Sequence, residues 1–257
     1  MSLTPRSARR IIGVSTKLYF SAEKTRTYVS DVLRRLSNAP TLLDQVDIFI
    51  VPDPITMVSV IEQIRDAKLP VLPGSQDTFH EDTGAYTGEI SPTVLAEVGC
   101  RVVEVGHAER RRLFGETDAV VALKAAAVVK NGMVPLVCIG ERTPGLVKIA
   151  VDECRQQVEA VIAAVPAVAD ILLAYEPVWA IGAAEPAGSD HVLDVVSAIK
   201  QLPCVQGRSG TTRVLYGGSA GPGLFEQLKT QVDGLFMARF AHDPERFLKT
   251  VQEVANA

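Results

Sequence analysis

Three ionisable residues, each placed where an apolar run gives way to a loop, are the candidates for chemistry. Glu176 follows the run Ile171 to Ala174 and Tyr175, and Pro177 comes directly after it. A proline holds the residue before it in an extended or bridging conformation, so the string reads as a strand that stops at a poised base. Trp179, the single tryptophan, falls in the small, apolar stretch just beyond, which reads as a candidate lid. His107 sits at the start of a helical pattern in Glu104-Val105-Gly106-His107-Ala108-Glu109-Arg110-Arg111, after a glycine that permits a tight turn. There the positive end of the helix dipole favours neutral imidazole over imidazolium. Lys17 closes the string Ser15-Thr16-Lys17 after the first apolar run. Taken singly, each is most simply a solvated side chain, because charged residues are mostly exposed. A fourth string, Tyr216-Gly217-Gly218-Ser219, leads into a helical turn. Glycines let backbone N–H groups approach an anion and a helix start adds its dipole, although alone this is an ordinary turn.

The elements that must position these residues alternate from end to end. Short β-rich runs lie near Ile11 to Thr16, Val46 to Val51, Leu69 to Leu72, Arg101 to Val105, Val134 to Ile139, Asp170 to Tyr175, Thr212 to Tyr216 and Leu235 to Met237. Helical patterns separate them. Ala22 to Leu36 carries Val29, Val32, Leu33 and Leu36 at helical spacing, and Val151 to Val165 carries Val151, Val158, Val161 and Ile162. Eight β-then-α units without a linker predict a parallel sheet, and a closed (β/α)8 barrel over residues 11–257 accommodates them better than a doubly wound open sheet. In such barrels the site lies at the C-terminal ends of the strands. Lys17, His107 and Glu176 follow the first, fourth and sixth runs, so one barrel brings three complementary groups to one mouth. Gly217 to Ser219 follows the seventh, where barrels recurrently bind phosphate. The stretch from Ser75 to Glu89 is longer than the roughly 2–6 residues of a typical connection.

Composition narrows the classes. The chain has 257 residues, 47% of them hydrophobic, and a formal net charge of −4, with a mean hydropathy of +0.18 and a pI near 5.6. A single domain of this size buries a large core. Lys and Arg are spread along the chain, which argues against nucleic acid as a partner. The apolar runs fall far short of a membrane span and the start, MSLTPRSARR, has no apolar segment of a secretory signal. A cytoplasmic protein with a disordered stretch over residues 1–10 is expected. Cys100, Cys138, Cys154 and Cys204 are widely separated without paired or histidine-spaced patterns, which predicts reduced, mostly buried thiols and neither a zinc site nor a disulfide framework.

The chain resembles the triosephosphate isomerase family over nearly its whole length. The resemblance is carried by Gly84-Ala85-Tyr86-Thr87-Gly88-Glu89-Ile90-Ser91, Gly106-His107 with Glu109-Arg110-Arg111, Cys138-Ile139-Gly140-Glu141, Tyr175 to Gly182, and Tyr216 to Ser219. It implies a TIM barrel with no cofactor and no metal. It also implies that Lys17 steadies developing negative charge, His107 polarises a carbonyl, Glu176 moves the proton, and Glu109 orients the cluster. Gly182, Gly217, Gly218 and Ser219 would hold the phosphate of a small phosphorylated sugar. By the same resemblance the long loop inserts into a partner subunit, placing Thr87 near the other chain's Lys17 in a homodimer. Four positions depart from the family's pattern: Ser15 stands for an asparagine, Ala108 for a serine, Ala183-Ala184-Glu185-Pro186 for a lid that continues with threonine and glycine, and Ala238-Arg239 for a glycine pair. Shortened side chains at Ser15 and Ala108 imply a roomier reacting end, and Arg239 implies a different grip on phosphate or, alternatively, an outward pair with Asp243. The chain looks similar to family members acting on four-carbon ketose phosphates such as erythrulose phosphates. Plain triosephosphate isomerase and a non-catalytic phosphosugar-binding barrel are the alternatives.

Overall fold

β-branched and aliphatic residues dominate eight short segments, and each forms a strand: β1 Arg10–Ser15, β2 Val46–Val51, β3 Val71–Ser75, β4 Val102–Val105, β5 Val134–Ile139, β6 Ile171–Tyr175, β7 Thr212–Tyr216 and β8 Gly234–Met237. In the computed structural model, which describes residues 9–183 and 186–257, all neighbours pair in parallel and β8 returns to β1, closing the barrel. Alternation along the strands builds two apolar layers. Ile11, Phe49, Val51, Leu72, Val102, Leu136, Leu172, Leu215 and Phe236 fill one cluster within the barrel, while their neighbours, such as Ile12, Ile48, Val103 and Leu173, pack with the helices in a second, larger one.

The helix Ala22–Ser37 shows why these segments fold as they do. Ser21 accepts a hydrogen bond from the Lys24 N–H as its cap, and Tyr28, Val29, Val32, Leu33 and Leu36 fall on one buried face. The helix expected over Val151 to Val165 instead spans Val147–Ala164. Its N-cap, Leu146, makes no side-chain capping bond, so the sequence carries no start signal, and Pro166 draws Val165 into an extended conformation at the other end. The third strand differs too. Lys68 leaves the preceding helix in the left-handed region, at φ 54°, so pairing begins at Val71 rather than Leu69. It then continues through Pro73, which lacks an N–H but accepts the Arg101 N–H at 2.8 Å.

Of the stretch expected to be disordered, residues 1–8 lie outside the described residues. Arg9 donates to the Leu43 carbonyl at 2.6 Å, and Arg10 opens β1. Cys100, Cys138 and Cys154 are buried and Cys204 partly so, all as free thiols. No described helix is long and apolar enough to cross a membrane.

Candidate active site

Lys17, just beyond β1, has a left-handed backbone at φ 46°. A non-glycine residue there persists only when its surroundings over-determine it. Gln76, beyond β3, supplies part of that hold: its amide donates to the Lys17 carbonyl at 3.1 Å and to the Thr16 hydroxyl at 3.2 Å. The Lys17 ammonium donates to Oε1 of Glu109 at 2.7 Å and lies 3.4 Å from Nε2 of His107. Burial lowers its pKa, but the Glu109 hydrogen bond and the negative field of Glu176, Glu109 and Glu104 outweigh burial and leave it raised.

His107 caps the helix Ala108–Phe114, its Nδ1 accepting the Glu109 N–H at 3.1 Å. An accepting Nδ1 puts the proton on Nε2, which faces Lys17 and lies 3.3 Å from Oε2 of Glu176. The ring is neutral, with a pKa lowered to about 4, chiefly by burial and then by the charge of Lys17. The neutral imidazole was legible from the sequence; its dominant cause, burial, was not. Glu109 also brings Oε2 to 3.5 Å from Nδ1. Its carboxylate is raised by burial but more strongly lowered by the hydrogen bond from Lys17 and the neighbouring cations.

Glu176 follows β6 and is buried. Its Oε2 has no aligned hydrogen-bond partner among the described residues. Burial, and next the repulsion of Glu104, push its pKa well up, with Lys17 pulling against them. Gly217 makes room for this side chain: a Cβ there would meet Oε1 of Glu176 at 2.5 Å. Ala108, Cys138 and Glu176 share the wall of a small void of about 10 Å³. Behind the base, buried Glu141 accepts from the Tyr175 hydroxyl at 3.1 Å and from the Trp179 indole at 2.9 Å, and stands 3.0 Å from Nε2 of His191. That hub anchors the turn Val178–Ala180 at the base of the lid.

A cavity of about 140 Å³ opens among Ser15, Lys17, His107, Glu176, Gly182 and Ser219, with Gly217, Gly218 and Arg239 also in its wall. The Ser219 hydroxyl lies 3.2 Å and 3.0 Å from the carbonyls of Ala180 and Ala183, tying it to the loop after β6. Tyr216 accepts the Ala187 N–H at 3.1 Å on its far side. Arg239 does not make the outward pair with Asp243 that was the alternative expected of it. It donates to the Gly182 carbonyl at 3.1 Å while lining the cavity, and Asp243 caps the final helix instead of pairing with it. Gly182 has φ 74° and suits this turn without strain. Ala184 and Glu185 of the divergent lid lie outside the described residues. Thr87 is exposed on the long loop.

A second cavity, about 600 Å³, shares Ser15, Lys17, Tyr19, His107 and Glu109 with the first. Sequence reasoning gave no role to Glu104, Gln76 or Glu141. The one available signal was a carboxylate or amide inside or beside an apolar run.

Comparison with known proteins follows this geometry. A family model described as triosephosphate isomerase matches residues 10–254. L-erythrulose-1-phosphate isomerase of Pectobacterium atrosepticum is 44% identical over 254 residues, 96% of either chain. The protein of that name from Rhizobium etli is 39% identical, covering 96% of this chain and 92% of its own. Triosephosphate isomerase of Streptococcus pyogenes is 34% identical, over 94% of this chain and 97% of its own.

Proposed function

The chain belongs to the triosephosphate isomerase family, and from that premise we propose that it isomerises a four-carbon ketose phosphate, an erythrulose phosphate, without a cofactor, through an enediolate. The observation that carries the reading is the buried carboxylate of Glu176 facing a neutral His107 and a charged Lys17 around one cavity. Glu176 takes a proton from the carbon beside the carbonyl and returns it to the neighbouring carbon. The Nε2–H of His107 donates to the oxygen that gains charge, and Lys17 stabilises that charge from the other side. This division of labour is the one for which triosephosphate isomerase itself is the reference case. The lid, tied by Ser219, Tyr216 and Arg239, keeps water from the intermediate. Phosphate lies toward Gly182, Gly218, Ser219 and Arg239, and the guanidinium adds a charged donor there.

The four-carbon reading is supported by the short side chains of Ser15 and Ala108 and by the names of the first two relatives. In an erythrulose phosphate the reacting carbonyl bears a hydroxymethyl group where glyceraldehyde phosphate has only hydrogen. The chemistry is otherwise unchanged. The protein acts as a cytoplasmic homodimer in this reading, with Thr87 of each chain completing the other's site. Exposed Leu18, Leu113 and Phe114 beside the second cavity support that face as the contact.

Turnover against three- and four-carbon sugar phosphates tests the proposal. The expected result is a higher kcat/KM for an erythrulose phosphate than for dihydroxyacetone phosphate. Preference for the three-carbon substrate returns the protein to plain triosephosphate isomerase chemistry, and absence of turnover on either leaves a binding barrel.

A further inference from the structure

Glu104 lies in β4, in the string Val102-Val103-Glu104-Val105, and is 3% exposed. It makes no ion pair among the described residues. Its Oε1 receives a long contact from the Cys138 thiol, at 4.0 Å, the Ser15 hydroxyl approaches the carboxyl group, and its Oε2 is buried without an aligned hydrogen-bond partner among the described residues. A buried carboxyl group left unsatisfied destabilises the fold, and an aliphatic side chain suits a strand in this position better. Such a group persists where it serves a ligand.

Its place in the site says which part of the ligand. The phosphate end lies toward Gly182, Ser219 and Arg239 in the first cavity, and Lys17, His107 and Glu176 mark the reacting carbons. The second cavity shares Ser15, Lys17 and His107 with the first and adds Gln76 and Glu104 to its wall, residues that do not line the first. A four-carbon ketose phosphate has the same order along its chain: phosphate, reacting carbons, terminal hydroxymethyl. Gln76 spends its Nε2 donors on the Thr16 hydroxyl and the Lys17 carbonyl, and among the buried side chains lining this cavity Glu104 carries an oxygen without an aligned partner.

The geometry points to Glu104 as the residue that recognises the terminal hydroxyl of the four-carbon substrate, its free carboxyl oxygen accepting that hydrogen bond and so setting preference over three-carbon sugars. This inference rests on the four-carbon reading above. Burial, opposed by the charge of Lys17, raises the group's pKa to about 8, so it is largely the neutral acid at neutral pH. A neutral acid offers the hydroxyl a partner without adding a second negative charge beside the enediolate.

The test is the ratio of kcat/KM for erythrulose 1-phosphate to that for dihydroxyacetone phosphate, measured on the full chain. A site built to hydrogen-bond a substrate hydroxyl discriminates strongly through that bond. Glu104→Val, which removes the acceptor, is expected to lower the ratio by about 10–100-fold. Glu104→Asp, which withdraws it by one methylene, is expected to lower it about tenfold, and serves if the valine variant fails to fold. Glu104→Gln keeps an acceptor oxygen and is expected to retain the ratio within about threefold. An unchanged ratio in the valine or aspartate variant, whether both substrates suffer equally or neither does, overturns the role of Glu104 alone. Wild-type protein that does not turn over the four-carbon substrate overturns the underlying reading, and that result is seen before any variant is compared.

Discussion

At the scale of single residues, the account turns on which groups carry charge. Glu176 must be ionised to accept a proton, and its pKa is raised by burial and by Glu104. His107 stays neutral down to about 4, so it does not set the acidic limit. The acid limb of kcat/KM is therefore expected to follow Glu176 and to lie well above the ordinary carboxylate range. A limb near the usual glutamate value contradicts the assignment. Glu176→Gln keeps the shape of the side chain but removes proton transfer, and kcat is expected to fall by roughly 10²–10⁴-fold or more with KM nearly preserved. Steady-state kinetics on a variant shown to be folded decides it. That Lys17, His107 and Glu176 meet at one mouth was legible because each ends an apolar run, where a charged residue stands out. Glu104 was not, because one charged letter inside a strand says nothing about whether its oxygens find partners. Arg239 was noticed for its size, yet its bond to the Gly182 carbonyl depends on where the lid turns.

At the scale of elements, the lid is a set of hydrogen bonds made between βα loops that are distant in sequence. Tyr216 reaches it from the end of β7, Ser219 from the loop after β7, Arg239 from the loop after β8, and Glu141 holds its base from the loop after β5. Under the proposed function, removing one donor is expected to loosen the loop and weaken the hold on phosphate. Arg239→Ala is expected to raise KM for the preferred substrate several-fold, in line with loss of one charge-assisted hydrogen bond. An unchanged KM confines that side chain to the surface. Strand positions were read well wherever aliphatic runs had clean ends, as at β2, β5 and β7. They were misread at β3, expected near Leu69 to Leu72, which starts later and runs on through Pro73 because only that residue's N–H is missing. The helix Val147–Ala164 began early because an uncapped start leaves no mark.

At the scale of the whole molecule, the barrel was legible because eight alternating units leave few ways to bury every strand, while the proposed dimer concerns surfaces outside a single chain. Light scattering is expected to give a dimer at assay concentration, and a fully active monomer contradicts it. Stability carries the cost of the site. Glu104 has a folded-state pKa raised from the ordinary 4.5 to about 8, so the unfolded chain releases that proton first. This group lowers stability as pH rises between those two values, by roughly 1.4 kcal/mol per pH unit at most. His107 acts oppositely, its contribution fading as pH falls from 6.5 toward about 4. Thermal melts of Glu104→Val are accordingly expected to decline less steeply than wild type between pH 5 and about pH 8; parallel curves contradict the buried orphan.

Proton transfer through an enediolate, with Glu176 as the base, is the central claim, and NMR in deuterated water addresses it most directly. With erythrulose 1-phosphate as substrate and many turnovers allowed, the account expects deuterium at the carbons that exchange the proton in the isomeric ketose, and loss of that exchange in Glu176→Gln. Isomerised product free of deuterium, or exchange at the wild-type rate in the variant, contradicts it.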